Sequence, residues 1–225
     1  MKRNVTIGAI IQARMGSSRL PGKVLRPIAG RPLLDHVVGR LASLRAAVTV
    51  VVATSTQPRD DAIAERCAML DVPCFRGSEE DVLARYAECA AAHGFDHVIR
   101  LTADNPFTDV EELDRLIDLH LREANDYTHS FGVMPLGVGA EIFTRAALER
   151  SAREGHAPNH REHVNEYIQE NPDRFRIGRL AVAADKNRPD LSLTVDTEED
   201  YTRACRLASR AAGTWLTTHE AIAAC

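Results

Sequence analysis

The fold is decided near the amino terminus, by the stretch Thr6-Ile7-Gly8-Ala9-Ile10-Ile11-Gln12-Ala13-Arg14-Met15-Gly16-Ser17-Ser18-Arg19-Leu20-Pro21-Gly22-Lys23. Residues 5–11 form an apolar run with the length of a buried strand. The run gives way to a segment of glycine, serine and proline that carries three cations, Arg14, Arg19 and Lys23. Small residues let the backbone turn tightly towards phosphate oxygens, and the cations offset phosphate charge. The pattern therefore predicts a polyphosphate site directly after a strand.

The spacing of the glycines excludes two familiar phosphate-binding loops. A Walker loop has the pattern G-x-x-x-x-G-K-[S/T], whereas Gly16 and Gly22 are one residue further apart and Val24 follows Lys23. The dinucleotide fingerprint G-x-G-x-x-G at the start of a helix is also missing from this stretch. The remaining alternative is a surface turn with solvated charges, since Arg and Lys side chains are mostly exposed.

Composition predicts an ordinary globular protein with one domain over residues 1–225, because 44% of the residues are hydrophobic and 27% are charged. The formal net charge of −4 argues against nucleic-acid and membrane-surface partners. Arg14 interrupts the first apolar run too early for a signal peptide, so we expect a cytoplasmic protein. The cysteines are widely spaced and lack a C-x-x-C pair, which favours reduced, buried and inert thiols. They are Cys67, Cys74, Cys89, Cys205 and Cys225.

Hydrophobic periodicity predicts alternating strands and helices. The predicted strands span residues 5–11, 48–53, 72–75, 97–101, 175–183 and 191–195. The predicted helices span residues 33–44, 60–70, 79–93 after a Ser78 cap, 109–123, 144–153, 161–170 and 198–212 after a Thr197 cap. Residues 126–143 alternate apolar residues with glycines, which predicts an antiparallel excursion. Together these predicted elements indicate an α/β fold with a mostly parallel central sheet and helices on both faces.

Five blocks of sequence resemble, in order, the cytidylyltransferases that make CMP-sugars, such as the 3-deoxy-manno-octulosonate and acylneuraminate enzymes. The resemblance is strongest to the spore coat polysaccharide biosynthesis protein F branch. The blocks are residues 11–25, Arg76-Gly77-Ser78-Glu79-Glu80-Asp81-Val82-Leu83-Ala84-Arg85-Tyr86, Arg100-Leu101-Thr102-Ala103-Asp104-Asn105-Pro106, Arg161-Glu162-His163-Val164 and Thr194-Val195-Asp196-Thr197-Glu198-Glu199-Asp200. The resemblance implies a Rossmann-like nucleotidyltransferase domain.

The resemblance also implies roles for four catalytic residues. Arg14 and Lys23 would contact the triphosphate of CTP, and Asp104 and Asp196 would bind the catalytic Mg²⁺. Each Asp follows a predicted strand and offers the hard oxygen ligands that Mg²⁺ prefers, although a turn residue or a helix-start carboxylate is the alternative. As loop cations, Arg14 and Lys23 are expected to contribute little to the core. The expected CTP-binding residues are Ala13, Arg14, Gly16, Ser17, Ser18, Arg19, Lys23, Arg76, Thr102 and Ala103.

The acceptor site is less well defined by the resemblance. The expected acceptor-binding residues are Glu141, Arg161, Glu162, His163 and Asn165. A zinc cluster of His156, His160 and His163 is disfavoured, because Pro158 interrupts the spacing and no Cys lies nearby. Many relatives have acidic residues at the positions of Leu136 and Gly139, and frequently an Arg at that of Ser192. The identity of the acceptor is therefore left open.

The leading hypothesis is an Mg²⁺-dependent enzyme in which a sugar-acid hydroxyl attacks the α-phosphorus of CTP and releases pyrophosphate. Such a CMP-sugar would serve surface polysaccharide or glycoconjugate synthesis. Two alternatives remain open, a cytidylyltransferase acting on a phosphonate or phosphate acceptor and a nucleotide-binding module without catalysis. Because relatives pair as homodimers and residues 126–143 are apolar and glycine-rich, we also expect a homodimer.

Overall fold

A seven-stranded sheet forms the centre of the computed structural model, which describes residues 5–225. The strands are β1 Ile7–Gln12, β2 Pro27–Ile28, β3 Arg31–Pro32, β4 Thr49–Ser55, β5 Cys74–Gly77, β6 His97–Thr102, β7 Tyr127–His129, β8 Glu141–Thr144 and β9 Ile177–Arg179. The sheet order is β5-β4-β1-β6-β8-β7-β9, and β2 pairs separately with β3. Strand β1 runs parallel to β4 and β6, whereas β8 is antiparallel to β6 and β7. The predicted mostly parallel sheet with an antiparallel excursion is confirmed.

Helices cover both faces of this sheet. They are α1 Leu33–Leu41, α2 Asp61–Met69, α3 Val82–Ala92, α4 Val110–Glu123, α5 Arg145–Glu154, α6 Pro158–Glu162, α7 Glu166–Glu170, α8 Glu198–Ala208 and α9 Thr218–Ala223. Successive strand residues point to opposite faces, so Ile11 packs with α1, α2 and α4 while Ile10 packs with α3 and α5. A third cluster joins α8 and α9 to Leu193 and Val195. These two residues lead directly into Asp196.

The start of α3 lies three residues later than the sequence predicts. Asp81 is the cap, because its carboxylate accepts a hydrogen bond from the backbone N–H of Ala84 at 2.8 Å. The Ser78 hydroxyl instead accepts from the backbone N–H of Asp81 at 3.0 Å and closes the preceding turn. Ser and Asp are both good caps, so the sequence alone did not distinguish them.

Three predicted elements in the second half of the chain differ from the structure. Residues 191–195 form no strand, since they cross the end of the sheet and make a single bridge through Ser192 to Leu136. The strand predicted at 175–183 shortens to β9. The helix predicted at 161–170 is two short helices, and α6 already begins at Pro158, where proline is tolerated because the first helical N–H needs no partner.

The thiols and the antiparallel segment differ in part from expectation. All five cysteines are free, but only Cys67 and Cys89 are buried and Cys225 is exposed. Residues 126–143 contribute β7 and the first part of β8 to the sheet, where Tyr127 and Phe143 are fully buried. Met134, Val138 and Ala140 in the loop between them are also buried, so packing within the chain accounts for much of the segment's apolar character. The homodimer therefore stays a prediction.

No helix of the described chain is long and apolar enough to cross a lipid bilayer.

Candidate active site

The loop after β1 is shaped by its own backbone. The carbonyl of Met15 accepts hydrogen bonds from the N–H groups of Ser17 at 2.9 Å and Gly22 at 3.0 Å. Gly22 has a φ of +71°, a conformation that strongly favours glycine. The buried Asp60 accepts from the backbone N–H of Met15 at 2.7 Å and anchors the loop to the start of α2. The loop therefore owes much of its shape to its own backbone and to Asp60.

The cationic side chains of this loop, Arg14, Arg19 and Lys23, line a cavity of about 320 Å³ at the carboxyl ends of β1 and β6. We call it the first cavity. Its lining residues are Gln12, Arg14, Ser17, Ser18, Arg19, Lys23, Val24, Val82, Arg100, Thr102, Ala103, Asp104, Glu162, His163 and Asp196. The edge of a parallel sheet where strands end is the usual ligand site in α/β folds. The structure thus places most of the expected nucleotide contacts around one space.

Lys23 is the centre of this cavity's charge network. Its ammonium donates at 2.8 Å to each of three acceptors, Asp104 Oδ2, Asp196 Oδ1 and the carbonyl of Val195. The Lys23 side chain is only 8% exposed, so the expectation that it contributes little to the core is wrong. Arg19 Nη2 lies 3.0 Å from Asp196 Oδ1 as well. The structure therefore brings Asp104 and Asp196 together from positions 92 residues apart in the chain.

The donor set fits a magnesium ion. Asp104 and Asp196 each direct a carboxylate oxygen to the same point, which the ammonium of Lys23 occupies in this structure. Mg²⁺ commonly takes one or two carboxylates together with substrate phosphates. Within residues 5–225, no cluster of three or more His, Cys, Asp or Glu residues could hold a metal ion by protein ligands alone. A metal here would therefore depend on the phosphates of a bound nucleotide to complete its coordination.

A second cavity, of about 400 Å³, adjoins the first. It is lined by Arg100, Leu101, Thr102, Asp104, Asn105, Phe131, Leu136, Gly137, Gly139, Glu141, His163, Thr194 and Asp196. Arg100, Thr102, Asp104, His163 and Asp196 line both cavities. The aspartate pair thus lies on the boundary between a cationic space and a space with apolar walls.

The profile of the cytidylyltransferase family matches residues 8–220. The chain belongs to the cytidylyltransferase family. It is 40% identical to the spore coat polysaccharide biosynthesis protein SpsF of Bacillus subtilis over 197 residues, covering 85% of this chain and 82% of SpsF. It is 31% identical to a cytidylyltransferase of Leptospira borgpetersenii whose structure superposes with a TM-score of 0.92, covering 98% and 93% of the two chains.

A more distant structure supports the fold of this cytidylyltransferase. CMP:2-keto-3-deoxy-manno-octonic acid synthetase, solved with CTP, is 19% identical and superposes with a TM-score of 0.70. The superposition covers 91% of this chain and 99% of the synthetase. At this identity the likeness concerns the fold.

Some expected site residues of this cytidylyltransferase lie outside both cavities. Arg76 donates from Nε to the carbonyl of Ser55 at 2.9 Å and from Nη1 to Asp61 at 2.6 Å. Arg161 Nη1 lies 3.4 Å from Asp81 Oδ2. Ala13 and Gly16 belong to the first loop but do not line the cavity, and Gly16 lies against the guanidinium of Arg59. These residues support the walls rather than face the spaces.

Two expected acceptor residues are committed to contacts inside the protein. Glu141 is fully buried, and its two oxygens accept from Arg100 Nη1 and from the Tyr127 hydroxyl, each at 2.5 Å. Asn165 does not line either cavity, and its amide donates to the Tyr127 hydroxyl at 3.3 Å. Only Glu162 and His163, of the five expected acceptor residues, face the first cavity directly.

The cavities also contain residues to which sequence reasoning gave no role. Gln12 ends β1 in the first cavity, and its Oε1 is buried without a hydrogen-bond partner among the described residues. Phe131 and Thr194 line the second cavity. Gln12 could have been found from its place at a strand end, next to the cationic loop. Phe131 and Thr194 carry no local signal, because their positions depend on distant segments meeting in the fold.

Proposed function

We propose that this cytidylyltransferase transfers CMP from CTP to a hydroxyl of a sugar acid and releases pyrophosphate, in surface polysaccharide or glycoconjugate synthesis. The observation that carries the proposal is the boundary between the two cavities. Asp104 and Asp196 line both spaces, and the cations of the loop line only the first. A nucleotide in the first cavity would therefore present its α-phosphorus to an acceptor in the second. The relationship to SpsF supports the pathway assignment.

The chain's own groups suit an in-line displacement. The acceptor oxygen bonds to the α-phosphorus, and the bond from that phosphorus to the bridging oxygen breaks. The bridging oxygen keeps the electron pair and leaves as part of pyrophosphate, and the hydroxyl proton passes to water. Arg14 and Arg19 line the first cavity and offset the charge of the triphosphate and of the leaving pyrophosphate. Arg14 has no ion-pair partner among the described residues, so its charge is available to a ligand. Holding both reactants across one boundary lowers the entropic cost of the reaction.

Asp104 and Asp196 are the residues that would hold Mg²⁺. The ion would stabilise negative charge on the phosphates as the leaving group departs. Lys23 offsets the two carboxylates in this structure, and it holds them in place by hydrogen bonds to both. Because the three N–H groups of Lys23 already have protein acceptors, Lys23 would act on a bound triphosphate through its positive charge.

The proposal is tested by measuring pyrophosphate release. The protein is incubated with Mg²⁺ and CTP, ATP, GTP or UTP, and with sugar acids, phosphosugars or phosphonates. We expect release to require CTP, Mg²⁺ and a sugar acid. Release with phosphosugars or phosphonates alone would replace the acceptor class, and CTP binding without release under any condition would indicate a nucleotide-binding module.

We also propose that the protein is a homodimer with residues 126–143 near the twofold axis. Phe131 and Leu136 remain 41% and 62% exposed in this segment, which gives a subunit contact an apolar surface. Light scattering at micromolar concentration should give twice the mass of the 24.8 kDa chain. A mass equal to one chain would contradict this prediction.

A further inference from the structure

Arg100 lies where the two cavities meet. It belongs to β6, the central strand that pairs with both β1 and β8, and its side chain lines both spaces. Among the residues lining the second cavity, Arg100 is the only arginine or lysine. Any anionic group in that cavity therefore has one permanent cation to meet.

A buried network fixes the position of this guanidinium. Arg100 lies directly opposite Glu141 in the antiparallel pairing of β6 with β8, and Nη1 donates to Glu141 at 2.5 Å. The other oxygen of Glu141 is held by the Tyr127 hydroxyl, which also accepts from Asn165. Burial is the largest single influence and lowers the pKa of Arg100, but the charge and hydrogen bond of Glu141, together with Tyr86 and Tyr127, outweigh it and leave the pKa raised. The guanidinium is therefore a fixed, charged group.

One edge of this guanidinium makes no hydrogen bond to another described residue. The hydrogen bond to Glu141 uses Nη1, and Nε is buried with no hydrogen-bond partner among residues 5–225. Unpaired buried donors are rare in folded proteins and call for an explanation. The Nε and Nη2 groups together form a planar fork whose spacing matches the two oxygens of a carboxylate. The chemistry of the free edge thus favours a carboxylate.

The other charges near the second cavity are already balanced. Asp104 and Asp196 share Lys23, and Asp196 also pairs with Arg19. The uncommitted features of the acceptor space thus include the Arg100 edge, His163, the unpaired Oδ1 of Asn105, and the apolar side chains of Phe131 and Leu136. A neutral sugar could offer the Arg100 edge only uncharged hydroxyl acceptors, whereas a sugar acid offers a charged carboxylate whose two oxygens match both donors.

We propose that Arg100 binds the carboxylate of the acceptor and thereby selects sugar acids over neutral sugars. The inference rests on the proposed function, because it assigns the acceptor to the second cavity. It makes Arg100 a substrate-binding residue, and it makes Glu141, Tyr127 and Asn165 positioning residues that act through it. Glu141 would then be essential without touching the acceptor.

The test compares each acid with its own carboxamide, which keeps the hydroxyl groups and removes the charge. The probes are 3-deoxy-manno-octulosonate and N-acetylneuraminate, each with its amide, titrated by calorimetry into CTP-loaded protein without Mg²⁺. We expect the wild type to bind at least one acid roughly tenfold or more tighter than its amide, the scale of one lost charge-assisted contact. Binding without turnover keeps this test separate from that of the proposed function.

The variants are chosen so that a folding defect does not decide the outcome. Arg100→Gln leaves a buried Glu141 charge uncompensated, so the double variant Arg100→Gln/Glu141→Gln removes both charges of the pair. We expect the preference for acid over amide to fall to about onefold to threefold in both, whereas a purely structural defect would weaken acid and amide equally. Arg66→Gln is the matched control, because Arg66 pairs with Asp35 and lines neither cavity.

Three results would overturn the inference. The first is wild-type protein that binds no probe acid more tightly than its amide. The second is a double variant that keeps the wild-type preference. The third is a double variant whose affinity for CTP alone falls as much as its affinity for the acid, which would place the Arg100 edge on the triphosphate. Failure of the proposed function is a different result, namely absence of CTP binding or of pyrophosphate release.

Discussion

The two cavities are built in opposite ways. The cations of the first come mainly from one loop of ten residues, Arg14 to Lys23, held by its own backbone and by Asp60. The second is assembled from β6, β8, the loop between β7 and β8, and the segment before α8. A contiguous loop can keep its chemistry while the rest of the chain changes. An assembled space changes with every segment that contributes to it, so it is where acceptor specificity can diverge.

Three positions that the sequence resemblance singles out lie in or beside the second cavity. Leu136 and Gly139 line the second cavity, and Ser192 forms the bridge to Leu136 that holds one wall in place. Gly139 has little room for a side chain, since a Cβ there would lie 2.6 Å from the Ser130 hydroxyl. These three positions therefore shape the second cavity rather than the first.

The largest expected effect comes from the aspartates on the boundary. Asp104→Asn and Asp196→Asn should each lower kcat on the order of a hundredfold or more, because Asn keeps the shape but not the charge that binds Mg²⁺. CTP affinity without metal should change much less. Steady-state pyrophosphate release across a Mg²⁺ series, with calorimetry of CTP, checks both statements.

The matched control for these variants is Asp190→Asn. Asp190 is exposed, pairs with Arg188 and lines neither cavity, so its replacement should leave turnover unchanged. Normal turnover of either boundary variant at low Mg²⁺ would return that aspartate to a turn or helix-start role.

The next largest effect, on CTP affinity and stability, distinguishes the roles of Arg14 and Lys23 in the first cavity. Arg14→Ala and Lys23→Ala should each weaken CTP binding by about 1.5–3 kcal/mol, the cost of a lost charge-assisted contact. Only Lys23→Ala should also lower stability, by about 1–3 kcal/mol, because it removes the donor shared by Asp104, Asp196 and the carbonyl of Val195.

Calorimetry of CTP and thermal unfolding of both variants measure this pair of effects. Equal loss of melting temperature in the two would show that the Lys23 network does not stabilise the fold. Unchanged CTP affinity in both would remove the loop from the nucleotide site.

How much of this structure the sequence predicts depends on how far apart in the chain the interacting residues are. Strand–loop patterns are local, so the loop from Arg14 to Lys23 and the place of Asp104 after β6 could be predicted from strand ends. The meeting of Asp196 with Asp104 was expected from a strand that residues 191–195 do not form, so that part of the reasoning was wrong. The pairing of Arg100 with Glu141 depends on the register of two antiparallel strands 41 positions apart, which no local pattern specifies. Arg76 lay in a recognisable block, yet the structure uses it to bind backbone carbonyls near α2.

A smaller effect is expected from the apolar wall of the second cavity. Leu136→Ala should raise the KM for the acceptor by roughly threefold to tenfold, the scale of losing a few methylene contacts, and leave CTP affinity unchanged. The side chain is 62% exposed, and the backbone bonds of Leu136 to Leu191 and Leu193 do not depend on it, so the free energy of unfolding should not fall. Light scattering of the variant separates a lost acceptor contact from a lost subunit contact. Met69→Ala, which removes an exposed apolar side chain from α2, is the control. Unchanged acceptor kinetics would exclude Leu136 from acceptor binding.

The smallest effect on turnover concerns the opposite end of β6. There His97 Nδ1 and His120 Nε2 share a hydrogen bond of 2.9 Å, and His120 Nδ1 bonds to the Thr128 hydroxyl at 3.0 Å. His120 is fully buried, and burial followed by the charge of His97 lowers its pKa to about 3. Because neither histidine lines a cavity, this network should affect stability in acid rather than catalysis at neutral pH.

The direction of the pH dependence of stability follows from whether the folded or the unfolded state binds the proton more readily. In the unfolded chain His120 has an ordinary pKa of 6.5. Below that pH the unfolded state binds a proton that His120 in the folded state does not bind until the pH approaches 3. The stability contributed by neutral His120 is fully present above pH 6.5 and is lost as the pH falls towards 3. Between pH 7.5 and 5 the loss should be about 2 kcal/mol, at about 1.4 kcal/mol for each pH unit below 6.5. Urea unfolding of the wild type, of His120→Gln and of the exposed control His93→Gln measures it. A pH dependence that stays as steep in His120→Gln as in the control would show that His120 is not the group that titrates.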